Sequence, residues 1–301
     1  MNLDELYRKL QAGGMVAGWN KPEPSLWAAP RENFVPAQWR YADAKAALDE
    51  AGTLVSTEHA ERRNLILFNP VPGNTYATVR TLVSAYQMVM PGEAARSHRH
   101  TPNALRLVID AAPGNYTIVN GRKLPMLPGD VLLTPNWAWH GHRNESSERG
   151  YWIDFLDVPM VHFLEPMFFD PLPGGGIEEA GEIDERSPMR FSFTDICEKL
   201  QGRKSVELGP PTLDTIALHV IRLARGQSVE TGRTTANSIF AVMQGEGSST
   251  IGSKPFQWKR GDVIAAPAWR GCRHEAESES YLLRVTDEPL MRRLNWFREG
   301  A

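Results

Sequence analysis

The sequence predicts an all-β fold built from two related halves, and three observations support this prediction. The chain of 301 residues contains 25 glycines and 22 prolines, and such a high share of turn-forming residues favours short strands over long helices. From Asn64 onward, most segments are short, rich in β-branched or aromatic residues and bounded by Gly or Pro, as in NLILF, ALRLVID and DVLLT. One motif also occurs twice. We therefore expect two domains of similar design.

The repeated motif reads GDVLLTPNWAWHGH at 129–142 and GDVIAAPAWRGCRH at 261–274. The two copies align without gaps and share six of fourteen positions. Gly92 and Gly226 mark a second pair of similar segments, and the two pairs are separated by 134 and 132 residues. A nearly constant period of this length indicates a duplicated domain.

Helical spacing occurs in short segments outside the predicted strands. LDELYRKLQ and YADAKAALDEAG, the second ending at Gly52 as a C-cap, predict two helices in a broken N-terminal arm over 1–60. This arm is too short to hold a core of its own, so we expect it to pack on a later one. The first domain is predicted over 61–169, with a type I′ turn at Asn120-Gly121. A connector with the short helix FTDICEKL follows over 170–212, and the second domain, with a C-terminal helix at MRRLNWFREG, occupies 213–301.

Composition excludes several classes of partner and location. The formal net charge of -3 and the pI of about 6.3 offer neither a basic surface for nucleic acid nor attraction to an anionic membrane. Cys197 and Cys272 are the only cysteines, which is too few for a secreted disulfide framework or a Cys-rich zinc module. The first twenty residues contain no signal-peptide h-region, and no segment approaches the roughly 20 apolar residues of a membrane span. We predict a cytoplasmic protein that binds neither nucleic acid nor membrane.

The most informative feature is the clustering of four of the eight histidines into His98-Arg99-His100 and His140-Gly141-His142. Residues i and i+2 of a strand project from one face, so His98 and His100 can aim two imidazoles at one point, and His140 can add a third from another strand. An H-x-H pair also occurs on solvated turns, which leaves a surface pair as the alternative. Three imidazoles suit a divalent metal with open coordination positions, but imidazole binds Fe, Zn, Ni and Cu alike.

The spacing around these histidines resembles the two motifs of the cupin superfamily, small β-barrels that hold a metal: Gly92-x5-His98-x-His100 and Gly129-x5-Pro135-x-Trp137-x2-His140-x3-Asn144. Two departures stand out. Trp137 replaces the usual Gly, and the Glu expected after the H-x-H pair is missing, with Leu105 and Arg106 in that neighbourhood. Together with RRNLILFNP and WIDFLDVPMVHFL, these features resemble the gentisate 1,2-dioxygenase family, which includes salicylate, 5-nitrosalicylate and 1-hydroxy-2-naphthoate dioxygenases.

The resemblance implies a bicupin fold of two jelly-roll β-barrels with an N-terminal helical arm, and one Fe(II) per chain bound by His98, His100 and His140. It also implies an extradiol-type ring-cleaving dioxygenase that uses O2 to open an ortho-hydroxybenzoate between its carboxyl-bearing and hydroxyl-bearing carbons. A homo-oligomer, specifically a tetramer, is implied as well. A chelating carboxylate and phenolate would neutralise an ion that three neutral histidines leave fully charged, and this agrees with the missing Glu.

Three further residues are candidates for substrate binding. Arg106 lies six residues after His100, an even offset that keeps it on the ligand face of a regular strand. A guanidinium there would clamp the substrate carboxylate with paired hydrogen bonds. Arg62 matches a second family arginine, with Arg63 beside it as the alternative, and Gln87 matches a glutamine that lines the pocket.

Two residues are implied for catalysis. His142 follows His140 by two residues and resembles a family histidine that transfers a proton to or from substrate or bound oxygen. Asp154 resembles the acid that orients this histidine or the substrate hydroxyl. Four aromatic residues are either core or walls of the pocket: Trp137, Trp139, Trp152 and Phe155.

The second repeat is predicted to be structural. By alignment, Gly232, Thr234 and Cys272 stand at the positions of the three ligands, and only His274 survives, at the position of His142. Two rival functions remain open: a cupin isomerase or hydrolase that uses another metal, and a carboxylate-binding module without turnover. No single residue selects among gentisate, salicylate, 5-nitrosalicylate and hydroxynaphthoate.

Overall fold

A computed structural model describes residues 2–56, 60, 62–210 and 212–300. Glu61, at which we predict the first domain to begin, lies outside the described residues, as do the first and last residues of the chain. The chain forms two compact units, Met1–Glu32 and Asn33–Ala301. The first unit contains helix α1 (Leu3–Ala12), which begins with a capping box: the Asn2 side chain accepts the Glu5 N–H at 2.9 Å, and the Glu5 carboxylate accepts the Asn2 N–H at 3.0 Å.

The second unit is mainly antiparallel β-structure. Its helices are α2 (Tyr41–Leu54), α3 (Val158–Leu164), α4 (Phe193–Lys199) and α5 (Glu288–Arg293). Its strands up to the connector are β1 (Ala37–Trp39), β2 (Arg63–Ile66), β3 (Val83–Val89), β4 (Ala94–His100), β5 (Ala104–Asp110), β6 (Asn115–Val119), β7 (Arg122–Pro125), β8 (Val131–Thr134), β9 (His140–Asn144), β10 (Gly150–Leu156), β11 (Phe169–Pro171) and β12 (Arg190–Phe191). The remaining strands are β13 (Ser205–Glu207), β14 (Ala217–Leu223), β15 (Ser228–Thr231), β16 (Ser238–Gln244), β17 (Glu246–Ile251), β18 (Lys254–Lys259), β19 (Val263–Ala266), β20 (Cys272–Ala276) and β21 (Ser280–Thr286).

The sheet orders confirm an all-β duplicated fold. One half contains sheets β12-β8-β5-β10-β3-β2 and β11-β4-β9-β6-β7, and the other contains β1-β19-β16-β21-β14-β13 and β15-β20-β17-β18. Each strand has a counterpart in the other half except β11. Among the described residues no ladder joins the two sheets of a half, so each half is a two-sheet jelly roll rather than a closed barrel.

A continuous hydrophobic core lies between the two six-stranded sheets. Leu105 and Leu107 of β5 pack in the same cluster as Ile239 of β16. Successive strand residues face opposite sides of a sheet, so Arg106 and Val108 face the interior of the first half, where Val108 belongs to a separate cluster. This alternation decides which side chains can reach a site inside the jelly roll.

From Ala37 onward, the N-terminal arm packs on the second half. Strand β1 pairs with β19, and the Tyr41 N–H at the start of α2 donates to Asp262 Oδ1 at 2.9 Å. The connector repeats this arrangement on the first half, where β12 pairs with β8 and the Phe193 N–H donates to Asp130 Oδ1 at 3.0 Å. Each half is thus covered by the segment that precedes the other half in sequence.

Local details separate correct from incorrect predictions. The Asn120-Gly121 turn is confirmed, because it joins β6 to β7 with both φ angles positive, at 47° and 73°. Gly52 does not end α2, which continues to Leu54; a Cβ at Gly52 would lie 3.0 Å from the Met88 Cε, so close packing explains this glycine. The C-terminal helix ends at Arg293, because Asn295 adopts a left-handed backbone (φ 56°). Among the described residues, no helix has both the length and the apolar character needed to cross a bilayer.

Candidate metal centre and substrate pocket

The three histidines predicted to bind a metal converge inside the first half. His98 and His100 lie on β4 and His140 on β9, with His98 directly opposite His140 in the ladder. Ring centroids are 4.4 Å apart for His98 and His140, 4.8 Å for His100 and His140, and 5.6 Å for His98 and His100. One ligand atom of each lies within 4.8 Å of the other two. A bulge in β4 between Ala95 and His98 shifts the register that sets this arrangement.

Backbone carbonyls hold all three rings through Nδ1. His98 Nδ1 is 3.1 Å from the Arg96 oxygen, His100 Nδ1 is 2.8 Å from the Pro102 oxygen, and His140 Nδ1 is 3.0 Å from the Ala138 oxygen. A carbonyl only accepts, so each Nδ1 carries the proton and each Nε2 presents a lone pair. This is how protein groups orient metal-binding histidines.

The protonation of these rings also fits a metal site. Burial lowers the pKa of His98 to about 4, and the charge of Arg62 acts in the same direction. Burial is likewise the main cause that lowers the pKa of His100 and His140. Neutral imidazole is the form that metal coordination requires. Among the described residues, no other group of three or more His, Cys, Asp or Glu side chains is close enough to hold an ion.

Arg106 reaches the same interior from β5 and is only 1% exposed. Its Nη1 donates to the Thr117 hydroxyl at 2.7 Å and lies 3.1 Å from the His142 Nδ1, while Nη2 donates to the Thr134 hydroxyl at 3.1 Å. The prediction of an inward side chain is correct, but its reason is wrong. His100 ends β4 and Arg106 belongs to β5, so the even offset does not run along one strand.

Asp154 and Gln87 lie beside Arg106 on the neighbouring strands β10 and β3. Gln87 Nε2 donates to Asp154 Oδ2 at 2.5 Å, and Asp154 Oδ1 is 3.4 Å from the Arg106 Nε. Burial raises the pKa of Asp154 and lowers that of Arg106, while each charge favours the ionised form of the other. No hydrogen bond joins Asp154 to His142 within the part of the chain that the structure describes. Asp154 contacts Arg106 rather than His142, and its other implied role, orienting the substrate hydroxyl, stays a prediction.

His142 is buried between Arg106 and Trp152. The Trp152 ring centroid lies 5.1 Å from that of His142. Burial lowers the pKa of His142 well below its ordinary value, and the nearby charge of Arg106 acts in the same direction. The imidazole is therefore neutral at pH 7 and has a lone pair that can accept a proton.

The structure distinguishes Arg62 from Arg63. Arg63 is buried in an ion pair with Glu93, and its Nε donates to the Val55 carbonyl at 3.0 Å. The charge of Arg62 instead acts on the site histidines, lowering the pKa of His98 and His142. Its Nε is buried and has no hydrogen-bond partner among the described residues. Arg62 is therefore the arginine of this pair that faces the histidines.

Sequence reasoning missed three residues of this region. Phe169 of β11 pairs with His100 in the ladder, and its ring lies 5.0 Å from that of His98. Phe169 borders the predicted connector over 170–212. The Gly, Pro and acidic residues of that connector gave no signal for a strand. Thr117 and Thr134 contact Arg106, and only the alternation of side chains on β6 and β8 could have placed them inside.

The four aromatic candidates divide between site, core and surface. Trp152 contacts His142, whereas Phe155 belongs to the core between the six-stranded sheets. Trp137 and Trp139 lie outside, against the Arg99 guanidinium. Trp137 has a φ of 62°, a backbone conformation that favours the glycine usual at this position.

The second half keeps the frame but not the ligands. Strand β15 pairs with β20 without a bulge, so Thr231 stands opposite Cys272, where the first half has His98 opposite His140. The counterpart of His98 by register is therefore Thr231, not the predicted Gly232, because a gap-free alignment cannot detect the extra residue of the bulge. Neither residue offers an imidazole, so the prediction of a second half without this triad is unchanged.

Comparison with known proteins gives a consistent result. Residues 85–157 match the model of a cupin domain. The chain is 30% identical over 333 residues to "Gentisate 1,2 dioxygenase 1" of Aquipseudomonas alcaligenes, covering 98% of this chain and 95% of that protein. It is 32% identical over 340 residues to the gentisate 1,2-dioxygenase of a Streptomyces species, covering 98% and 94%.

A solved structure agrees with these relatives. The salicylate 1,2-dioxygenase from Pseudoaminobacter salicylatoxidans, as a variant in complex with gentisate, superposes with a TM-score of 0.91 at 25% identity, covering 99% of this chain and 95% of that one. The duplicated jelly roll, the clustered histidines and nearly full-length similarity lead to one conclusion. The chain belongs to the gentisate 1,2-dioxygenase family.

Proposed function

We propose that this protein is an Fe(II)-dependent dioxygenase that opens an ortho-hydroxybenzoate between its carboxyl-bearing and hydroxyl-bearing carbons with O2. The observation that carries the proposal is the meeting of a neutral three-histidine cluster with two arginines, Arg62 and Arg106, inside one jelly roll. An anionic aromatic substrate needs both features: a metal to react at and positive charge to hold its carboxylate.

His98, His100 and His140 would hold the metal through their Nε2 atoms. When bound, Fe(II) supplies the one-electron chemistry by which O2 can react with a closed-shell aromatic ring. The three imidazoles bring no charge to the ion, so a substrate that carries a carboxylate and a phenolate side by side suits this ligand set.

The arginines would bind the substrate carboxylate. The Arg62 Nε has no hydrogen-bond partner among the described residues, and a buried donor of this kind is expected to find one in a ligand. Arg106 has five N–H donors. The two on Nη1 contact Thr117 and His142, one on Nη2 binds Thr134 and the one on Nε faces Asp154, which leaves one Nη2 N–H for the substrate. Asp154 would keep Arg106 in place and balance its charge.

His142 and Gln87 would act on the substrate hydroxyl. Because His142 is neutral, its one lone pair, which faces the Arg106 Nη1 here, can instead accept the phenolic proton and return it later. The Gln87 amide N–H donates to Asp154, and the buried Oε1 of Gln87 has no hydrogen-bond partner among the described residues. That oxygen can accept a hydrogen bond from a substrate hydroxyl.

We also propose a cytoplasmic homo-oligomer, a tetramer as the family resemblance implies. Large apolar side chains exposed from the end of α3 to β11, among them Phe163 and Phe168, support contact with another copy. Sedimentation of the purified protein gives the oligomeric state directly, and a monomer at working concentration would contradict this proposal.

Oxygen uptake tests the function. The Fe(II)-loaded protein is assayed with gentisate, salicylate, 5-nitrosalicylate, 5-halosalicylates and 1-hydroxy-2-naphthoate, with benzoate and 3-hydroxybenzoate as controls. We expect at least one ortho-hydroxybenzoate to consume one O2 per ring opened, and the controls to consume none, since they lack the adjacent oxygen pair. Cleavage of either control contradicts the proposed binding mode. Activity only with another metal and without oxygen uptake favours an isomerase or hydrolase, and binding without turnover favours a carboxylate-binding module.

A further inference from the structure

A single hydroxyl links the two parts of the proposed site. Thr117 lies on β6 and is fully buried. Its Oγ1 accepts a hydrogen bond from the Arg106 Nη1 at 2.7 Å and donates one to the Gly141 carbonyl at 3.0 Å. Gly141 stands between His140 and His142 on β9. Thr117 therefore connects the guanidinium to the backbone that carries two site histidines.

The geometry of this hydroxyl is fixed. A threonine hydroxyl has one proton and two lone pairs. Because the proton is used by the Gly141 carbonyl, a lone pair is directed at Arg106. Thr117 also lies directly opposite His142 in the ladder between β6 and β9. The orientation of the guanidinium is thus set relative to the same strand that sets the histidines.

Thr134 offers a contrast within the same contact. Its Oγ1 accepts from the other terminal nitrogen of Arg106, Nη2, at 3.1 Å. Among the described residues, its hydroxyl makes no hydrogen bond to β9. Both threonines therefore hold the guanidinium, but only Thr117 ties it to the histidine strand.

The second half shows that this position faces the interior and accepts a smaller hydroxyl. Ser249 occupies the position of Thr117, opposite His274 in the ladder, and its Oγ lies 2.6 Å from the His274 Nδ1. Phe240 stands at the position of Arg106, and among the described residues the Ser249 hydroxyl makes no hydrogen bond to a guanidinium.

We propose that Thr117 is a positioning residue for substrate recognition: it holds Arg106 in the orientation in which the remaining Nη2 N–H meets the substrate carboxylate beside His142. The inference rests on the proposed function and deepens it, since it names the group that sets the angle of the carboxylate-binding guanidinium.

The test compares four variants with wild type in the Fe(II)-loaded, oxygen-free protein. Salicylate affinity is measured by calorimetry, and KM and kcat are measured separately in air. Thr117→Val removes the hydroxyl but keeps the shape, and we expect it to raise Kd and KM about tenfold or more, as for loss of a hydrogen bond to a charged group. Because the lost interaction serves binding, kcat should change less. Thr134→Val removes the matched acceptor and should raise Kd by a smaller factor.

Serine and alanine variants separate the hydroxyl from packing. Thr117→Ser and Thr117→Ala both lack the methyl group and differ only in the hydroxyl, so this pair remains informative if the valine variant does not fold. We expect Thr117→Ser to bind close to wild type and Thr117→Ala to bind as weakly as Thr117→Val. Equal affinity of the serine and alanine variants would overturn the proposal, as would wild-type affinity in Thr117→Val.

The outcomes also separate this inference from the proposed function. A wild-type protein that binds salicylate but consumes no O2 with any substrate contradicts the function alone, and the serine and alanine affinities still decide the role of Thr117. A wild-type protein that binds no ortho-hydroxybenzoate contradicts both. Iron content, measured for every variant, should match wild type, because Thr117 contacts no ligand side chain.

Discussion

The two halves of this protein share a frame and differ in what the frame encloses. In each half an aspartate accepts the N–H of the covering segment, Asp130 from Phe193 and Asp262 from Tyr41. In each, the preceding glycine meets the covering aromatic ring so closely that a Cβ would lie within 2.7 Å of it. These positions were retained because each half must seat the segment that covers it.

A second retained feature is a polar clamp at the boundary between the halves. Asp157 accepts hydrogen bonds from Asn103 and Thr215, and its counterpart Asp287 accepts them from Asn237 and Thr81. Each threonine belongs to the half opposite to its aspartate: Thr215 lies between β13 and β14, and Thr81 lies between β2 and β3. The clamp occurs with and without the histidine triad, so we assign it to the docking of the two halves rather than to chemistry.

The interiors differ at the positions that surround the proposed substrate. Arg106 and Asp154 are partners in the ladder of the first half, and Phe240 and Arg284 are partners at the corresponding place in the second. Phe240 and Trp258 belong to an apolar cluster that fills the interior of the second half. The frame is therefore kept, while the Arg106–Asp154 pair of the first half is replaced by Phe240 and Arg284 in the second. We expect the chemistry to reside in the first half only.

Removal of a metal-binding histidine should have the largest effect and should distinguish the two halves most clearly. We expect His98→Ala, His100→Ala or His140→Ala to abolish iron retention and oxygen uptake, whereas the same change at His274 should affect stability alone. The reason is that, among the residues that the structure describes, only the first half brings three imidazoles together. Elemental analysis of the wild type should give about one iron per chain, since a three-imidazole site needs all its ligands. Two iron ions per chain, both required for activity, would show that the two halves are functionally alike.

The next largest effect is expected at His142, which has His274 as its counterpart. His142→Ala should keep iron and still bind salicylate, but lower kcat by about 10²–10⁴-fold, the usual contribution of a general acid or base. His274→Ala is the matched control and should leave kcat unchanged. Single-turnover rates at saturating substrate measure the effect, and an unimpaired His142→Ala protein would remove this residue from the mechanism.

Arg106→Ala should weaken substrate binding by about 10- to 150-fold without loss of iron, as expected when a charge-assisted hydrogen bond of roughly 1.5–3 kcal/mol is removed. The change leaves Asp154 as a buried unpaired carboxylate, which itself destabilises proteins. The double variant Arg106→Ala/Asp154→Asn therefore accompanies it, and Arg284→Ala serves as the control in the second half. Calorimetric titration with salicylate gives the affinities. If Arg106→Ala binds salicylate as tightly as wild type, we infer that Arg62 alone binds the substrate carboxylate.

The sequence predicted the duplication, the all-β class and the converging histidines, because each is encoded in local spacing. His98, His100 and His140 follow from strand alternation within two short motifs. What the sequence could not provide depends on the register between distant strands. The bulge in β4 is an example, since it moves the counterpart of His98 from Gly232 to Thr231 without any change in motif spacing.

The sequence also could not predict which interior side chains contact each other. Asp154 contacts Arg106 because β5 and β10 are neighbours in the six-stranded sheet, a pairing between residues 48 positions apart in sequence. Arg62 and Arg63 are adjacent in sequence, and only the ion pair of Arg63 with Glu93 shows which one is committed elsewhere. Each half is covered by the segment that precedes the other half, and this arrangement likewise becomes visible only in the three-dimensional structure.

A further prediction concerns stability and tests whether the two clamps are equivalent. Burial raises the pKa of Asp287 to about 6, against the opposing effect of its hydrogen bonds from Asn237 and Thr81. An aspartate in the unfolded chain has a pKa of about 3.9. Between these values the folded protein binds a proton that the unfolded chain does not. This contribution to the free energy of unfolding is therefore fully present at low pH and is lost as the pH rises through about 6.

Asp287→Asn removes this titration while it keeps the shape of the side chain. The amide also places an N–H against donors, which lowers stability at every pH, so the measured quantity is how the difference in unfolding free energy between wild type and variant changes with pH. We expect that difference to decrease from pH 4 to pH 7, by on the order of 3 kcal/mol for a shift of roughly two pKa units. The buried histidines are the same in both proteins and cancel. Burial also raises the pKa of Asp157, so Asp157→Asn should give a difference of the same sign. A flat difference for Asp287, or opposite signs for the two aspartates, would show that the halves are not joined by equivalent clamps.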